Sequence, residues 1–142
     1  MTYAGVNALA VLLAAFASYL FGAAWYMGLA KPWLAASEFS PEQRARIEGG
    51  ATRSPAPFII SLAAQLLMAY LFASLIGHLG PAAATIRSGL LSGFLLWLGF
   101  VATTLATNYS FGMRRFTLTL IDGGHWLGVL LIQGAVIGLV GL

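Results

Sequence analysis

The sequence predicts an all-α polytopic membrane protein, with four transmembrane helices in an antiparallel bundle forming a single domain over residues 1–142. Three observations predict it. Only 8% of the residues are charged, where a soluble domain carries roughly 25% to hold its surface in water. Hydrophobic residues make up 60% of the chain, and the mean hydropathy is +0.89. Finally, the stretches Val6–Leu29, Phe58–Gly77, Ser88–Tyr109 and Thr117–Gly141 each supply the roughly 20 mostly apolar residues needed to cross a hydrocarbon core about 30 Å thick.

The same composition excludes other classes. A net charge of +3 drawn from so few charged residues makes no basic stripe for nucleic acid. With no cysteine there are no disulfides, no thiol chemistry and no Cys-ligated metal. No Ser/His/Asp nucleophile set, phosphate-cradling glycine loop or His-Glu-x-x-His zinc motif occurs, so no catalytic residue, metal or cofactor is assigned, and the reading leans against an enzyme.

The first span has nothing basic ahead of it and an apolar run too long for a cleaved signal, so it is expected to be retained. Asn7, Ala14, Ser18, Gly22 and Trp25 fall within a sector of about 80° at 100° per residue. Trp25, Tyr26 and Trp33, near its end, have the character of an interfacial aromatic belt. The connection over residues 30–57 carries Lys31, Arg44, Arg46 and Arg53. Within it, Ser40-Pro41-Glu42-Gln43 reads as a capped helix start, and Gly49-Gly50 as its end. This is a solvated connector in preference to a regulatory element. Pro55 and Pro57 keep it from running helically into the second span.

The second span shows an unbroken four-residue spacing of Ser61, Gln65, Ala69, Ala73 and Gly77, and Gly80-Pro81 then makes a tight turn. That turn predicts helices two and three as antiparallel neighbours. In the third span, Gly89, Ser92, Gly93, Gly99, Thr103 and Thr107 occupy one side. Leu91, Phe94, Leu95, Leu98 and Leu105 occupy the other, assigned to lipid. The fourth span has two marked sides. Asp122, His125 and Gln133 project within about 80° of one another, and Gly124, Gly128, Gly134 and Gly138 lie opposite, in two GxxxG spacings. The glycine side is assigned to a close-packed helix, and a homo-oligomer would supply it from another copy.

Basic residues are retained on the cytoplasmic side. Lys31, Arg44, Arg46 and Arg53, with Arg114 and Arg115, fall in the first and third connections, and only Arg87 falls in the second. Both termini are therefore expected on the non-cytoplasmic side, in a multi-pass inner-membrane protein. Depth then gathers Trp25, Tyr26, Gln65, Thr103, Thr107, Asn108, Asp122 and His125 into a polar pocket facing the cytoplasm. Asp122 is the acid within the spans, and an ionised carboxylate in hydrocarbon costs about 2.5–3.5 kcal/mol. It needs a partner, for which His125 and Arg115 lie on the same helix face. The functional expectation is a small transporter or channel, with an ion or small-molecule ligand at Asp122. The alternative is a non-catalytic oligomeric scaffold or accessory subunit.

One family shares these residues in this order. Asn7, Gly22, Trp25-Tyr26, Lys31 and Trp33, the stretch Leu96-Trp97-Leu98-Gly99-Phe100 through Thr103-Thr104 to Asn108-Tyr109 and Phe111, and Leu120-Ile121-Asp122 resemble the bacterial membrane-protein family called domain of unknown function 1761. The resemblance runs over nearly the whole chain. It implies a four-span inner-membrane protein, favours Asp122 over His125 as a mechanistic residue, and supplies no activity.

Overall fold

A computed structural model of the chain describes residues 2–3, 5–49 and 54–142. Arg53, counted above with the basic residues, and Gly50, read as part of a helix stop, lie outside the described residues. A short antiparallel pairing of β1 (Thr2–Tyr3) with β2 (Val6–Asn7) precedes the first helix. Helix α1 runs Ala8–Gly28. It starts after Val6 because Asn7 caps it: the Asn7 side-chain oxygen accepts from the Leu9 N–H at 3.0 Å, satisfying a donor that the first turn leaves free.

Helix α2 (Ala30–Ala36) follows after one residue, and the Ser37 hydroxyl closes it by donating to the Trp33 carbonyl at 2.7 Å. Glu38 then takes a left-handed conformation, φ 53°, which turns the chain toward α3 (Pro41–Gly49). At the start of α3 the Ser40 N–H donates to Gln43 Oε1 at 3.0 Å, and the Gln43 N–H to Ser40 Oγ at 3.2 Å. That reciprocal pair is a capping box with glutamine as its second member.

Helix α4 (Ala56–His78) begins before Phe58, with Pro57 inside its first turn. Proline starts this helix instead of holding it off, since the first turn has no carbonyl waiting for the missing N–H. Gly80, at φ 99°, and a single 3-10 turn (Pro81–Ala83) reverse the chain. Helix α5 (Ile86–Leu96) is capped by Thr85, whose hydroxyl accepts from the Ser88 N–H at 3.2 Å. A π-helical segment over Trp97–Ala102 joins it to α6 (Thr103–Phe111), and α7 (Phe116–Val140) ends at Gly141, φ 87°.

Among the described residues, four helices are long and apolar enough to cross a membrane: Ala8–Gly28, Ala56–His78, Ile86–Phe111 and Phe116–Val140. Their outer faces carry exposed Leu9, Phe16, Leu20, Ile59, Leu71, Leu91, Leu95 and Leu139, side chains suited to lipid. The chain is an all-α, multi-pass membrane protein.

Helix α7 is the centre of the bundle, not its flank. Helices α5 and α1 both pack on it, and α4 packs chiefly on α1. The tight turn after α4 therefore does not make α4 and α5 close neighbours, because α5 is drawn onto α7. Glycine is the reason. A Cβ on Gly134 would collide with the Gly89 carbonyl, one on Gly138 with the Thr85 carbonyl, and one on Gly93 would stand 2.7 Å from the Leu130 carbonyl oxygen. Backbones this close gain dispersion contacts that lipid tails do not replace. The other pair also faces this chain: a Cβ on Gly124 would stand 2.8 Å from the Trp25 ring, and one on Gly128 would collide with the Phe21 ring. The glycine side offered above to another copy is thus filled by helices of the same chain.

At the bundle's middle, α1, α4 and α7 share a buried polar node. Ser18 Oγ donates to Gln65 Oε1 at 2.7 Å, and Gln133 Nε2 donates to Ser18 Oγ at 3.1 Å and to the Gln65 carbonyl at 3.2 Å. Ala10, Ala14, Ala69 and Ala73 are fully buried around it, and their small side chains bring the helices within reach of these bonds.

Candidate functional site

Asp122 lies near the start of α7, where the ends of α1 and α6 also arrive. The Tyr26 hydroxyl, in the last turn of α1, donates to Asp122 Oδ1 at 2.7 Å. The Tyr109 hydroxyl, near the end of α6, donates to Oδ2 at 2.7 Å. Each carboxyl oxygen thus has its own hydroxyl partner, and a hydroxyl can donate to a negative oxygen. A hydrogen bond to a charged group contributes about 1.5–3 kcal/mol, so two of them offset an insertion cost of about 2.5–3.5 kcal/mol. No cation is needed to keep this charge in place.

Two indoles hold the backbone on either side of the carboxylate. Trp25 Nε1 donates to the Ile121 carbonyl at 3.0 Å, and Trp97 Nε1 donates to the Gly123 carbonyl at 2.8 Å. Each flank of α7 thus offers one tryptophan to the main chain and one tyrosine to Asp122. Gly124 admits the Trp25 ring, which any larger residue would push away.

Asp122 also lines a cavity of about 390 Å³, which reaches outward between the α2–α3 connection and the start of α7. Trp33, Phe39 and Tyr109 give it aromatic walls, and Glu38 and Arg114 are the other charged groups along it. Trp33 packs edge-on against both Tyr26 and Phe39, with ring centroids 5.8 and 5.5 Å apart. The site is chemically simple: an un-neutralised carboxylate in an aromatic cavity. Among the described residues no group of three His, Cys, Asp or Glu side chains comes together.

The family model described as "Protein of unknown function (DUF1761)" matches residues 9–138. The chain belongs to this family. The matched region covers the four apolar helices apart from one residue at the start of the first and two at the end of the fourth, and it contains every residue of the Asp122 site. No curated protein and no solved structure matches the chain.

In this DUF1761 chain the expected partners of Asp122 have other engagements. Arg115 pairs with Glu38 at 3.2 Å, out in solvent. His125 is buried, with Nε2 against Gly22 and its ring among Phe21, Tyr26 and Trp126, and its Nδ1 has no hydrogen-bond partner. It makes no hydrogen bond to Asp122. Gln65 belongs to the deeper node with Gln133, which is about 16 Å along α7 from Asp122. Trp25 and Tyr26, taken for an aromatic belt at the interface, turn inward to α7.

Thr103, Thr107 and Asn108 are exposed, and the structure does not bring them to Asp122; Thr103 donates instead to the Gly99 carbonyl at 2.9 Å. The π segment explains this. In an unbroken α-helix, Thr107 would share the inward face of Gly93, and Tyr109 would sit about 160° away from it. The wider π turns rotate everything after them, so Tyr109 comes round to Asp122 while Gly99, Thr103 and Thr107 swing outward. Leu105 swings the other way and lines an apolar crevice beside Gly123, off the lipid face assigned to it. Tyr109, Trp97, Phe39 and Arg114 are the site residues that face-reading missed. The signal for Tyr109 and Trp97 was their place in the family's shared stretch.

Proposed function

We propose that this DUF1761 protein is a small inner-membrane transporter or channel in which Asp122 receives a cationic group from the aromatic cavity. The observation that carries the reading is the carboxylate itself. It is buried, held by the hydroxyls of Tyr26 and Tyr109 with no cationic side chain bonded to it, and reached by a cavity lined by Trp33, Phe39 and Tyr109. Aromatic faces attract cations by about 0.5–2 kcal/mol each, more as water is excluded. The distribution of Lys31, Arg44, Arg46, Arg114 and Arg115 supports a cytoplasmic mouth for the cavity and outward termini.

The test uses the full chain in liposomes with tetramethylammonium as the probe. Wild type is expected to bind it from the side of the α2–α3 connection, and Asp122→Asn, which keeps the shape and loses the charge, to weaken binding at least tenfold while remaining folded. Undiminished binding by a folded Asp122→Asn would overturn the reading.

A second reading is a non-catalytic oligomeric scaffold. What favours it is the outer face of the third span, where Gly99, Thr103 and Thr107 are exposed with open space at Gly99, as small residues are at helix contacts between chains. Gly99→Leu would then lower the native mass in detergent; an unchanged mass removes this support.

A further inference from the structure

We propose that the ligand of the Asp122 cavity is a zwitterion, with an ammonium group seated at Asp122 and an anionic group held at Arg114; this deepens the cation-binding reading and rests on it. The inference comes from the charges along the cavity. Three charged side chains line it: Glu38, Arg114 and Asp122. Glu38 is taken by Arg115 at 3.2 Å, and that is the ion pair among the described residues. Asp122 has only neutral donors, and no ion pair forms at Arg114. One cavity therefore presents one uncompensated anion and one uncompensated cation.

Their placement gives the ligand a direction. Asp122 is 9% exposed and forms the inner end, whereas Arg114 is exposed and precedes α7, with Asp122 about 9 Å farther along the axis than the first residue of that helix. The aromatic walls suit the ammonium end, since a ring face attracts a cation and repels an anion. The guanidinium suits a phosphate or carboxylate, which it can grip through paired N–H donors. A volume of about 390 Å³ is at the small end of the range for ligand sites, roughly 300–1,000 Å³. The chemistry is that of a phosphorylated or carboxylated amine with its charges several ångströms apart. A free solute and the headgroup of a zwitterionic phospholipid both have it.

Purified full-length protein in a maltoside detergent is titrated with tetramethylammonium, inorganic phosphate and phosphocholine. Phosphocholine is expected to bind at least tenfold tighter than either single-charge probe. Arg114→Gln should weaken phosphocholine at least tenfold and tighten tetramethylammonium, because one cation no longer faces another; Asp122→Asn should weaken both. If phosphocholine binds no tighter than tetramethylammonium, or Arg114→Gln spares it, the zwitterion is wrong and the cation site stands. If none of the probes binds wild type, both fall. The source is read by native mass spectrometry after exchange into phosphatidylethanolamine, with phosphatidylglycerol as the control. A retained phosphatidylethanolamine that phosphocholine displaces identifies a lipid headgroup, and equal retention of the two lipids identifies a free solute.

Discussion

Tyr26 and Tyr109 do for Asp122 what a counter-ion does elsewhere, with one difference: they leave the negative charge available. Removing either hydroxyl should therefore destabilise the fold as the loss of a hydrogen bond to a charged group does. Tyr26→Phe and Tyr109→Phe are each expected to lower the unfolding free energy by about 1.5–3 kcal/mol, measured by chemical denaturation in detergent. Losses below about 0.5 kcal/mol for both would mean that the hydroxyls do not hold the carboxylate. At this scale the sequence was legible in part. Asp122 stood out because an acid in a span demands an explanation, and Tyr26 shared its depth. Its partners did not stand out, since His125 and Arg115 had the better charge and spacing on the same helix. What spacing along one helix cannot convey is that Gly22 leaves room for the imidazole to lie against α1, or that Glu38, itself in a left-handed conformation, pairs with Arg115 in solvent.

The individual helices were read most accurately where the backbone stays α-helical. Ser18 and Gln65 were picked out as polar members of small-residue stripes and Gln133 as part of the polar side of the fourth span, and the three meet in one buried node. The third span shows the limit. Projection at 100° per residue is right for Gly89 and Gly93 and fails after Trp97, because the π segment adds rotation that composition does not announce. The Thr103 hydroxyl on the Gly99 carbonyl supplies a donor beside that irregular turn, where lipid offers none. The glycines divide in the same way. Gly134→Ala places a Cβ into the Gly89 carbonyl, a backbone atom that cannot step aside, and overpacking of this kind costs about 1–3 kcal/mol or more. Gly99→Ala meets open space and should stay within about 0.5 kcal/mol of wild type. Equal unfolding midpoints for the two variants would contradict the close approach of α5 to α7.

Across the whole molecule, composition alone placed the chain in lipid, and the arrangement of its helices did not follow from loop lengths. A short turn brings α4 and α5 together at their ends, yet glycine contacts draw α5 to α7, which becomes the central helix with polar residues on one side and backbone-to-backbone packing on the other. That central position gives Asp122 its function in this reading: the ends of α1 and α6 converge on it, and the cavity opens just beyond. Everything rests on the carboxylate being charged and unpaired by protein cations. Infrared difference spectroscopy of the protein in lipid at neutral pH tests this most directly, with the Asp122 bands identified by their loss in Asp122→Asn. The expected result is a pair of carboxylate stretches that shift when tetramethylammonium is added. A protonated carbonyl stretch for Asp122, unmoved by the cation, would contradict it.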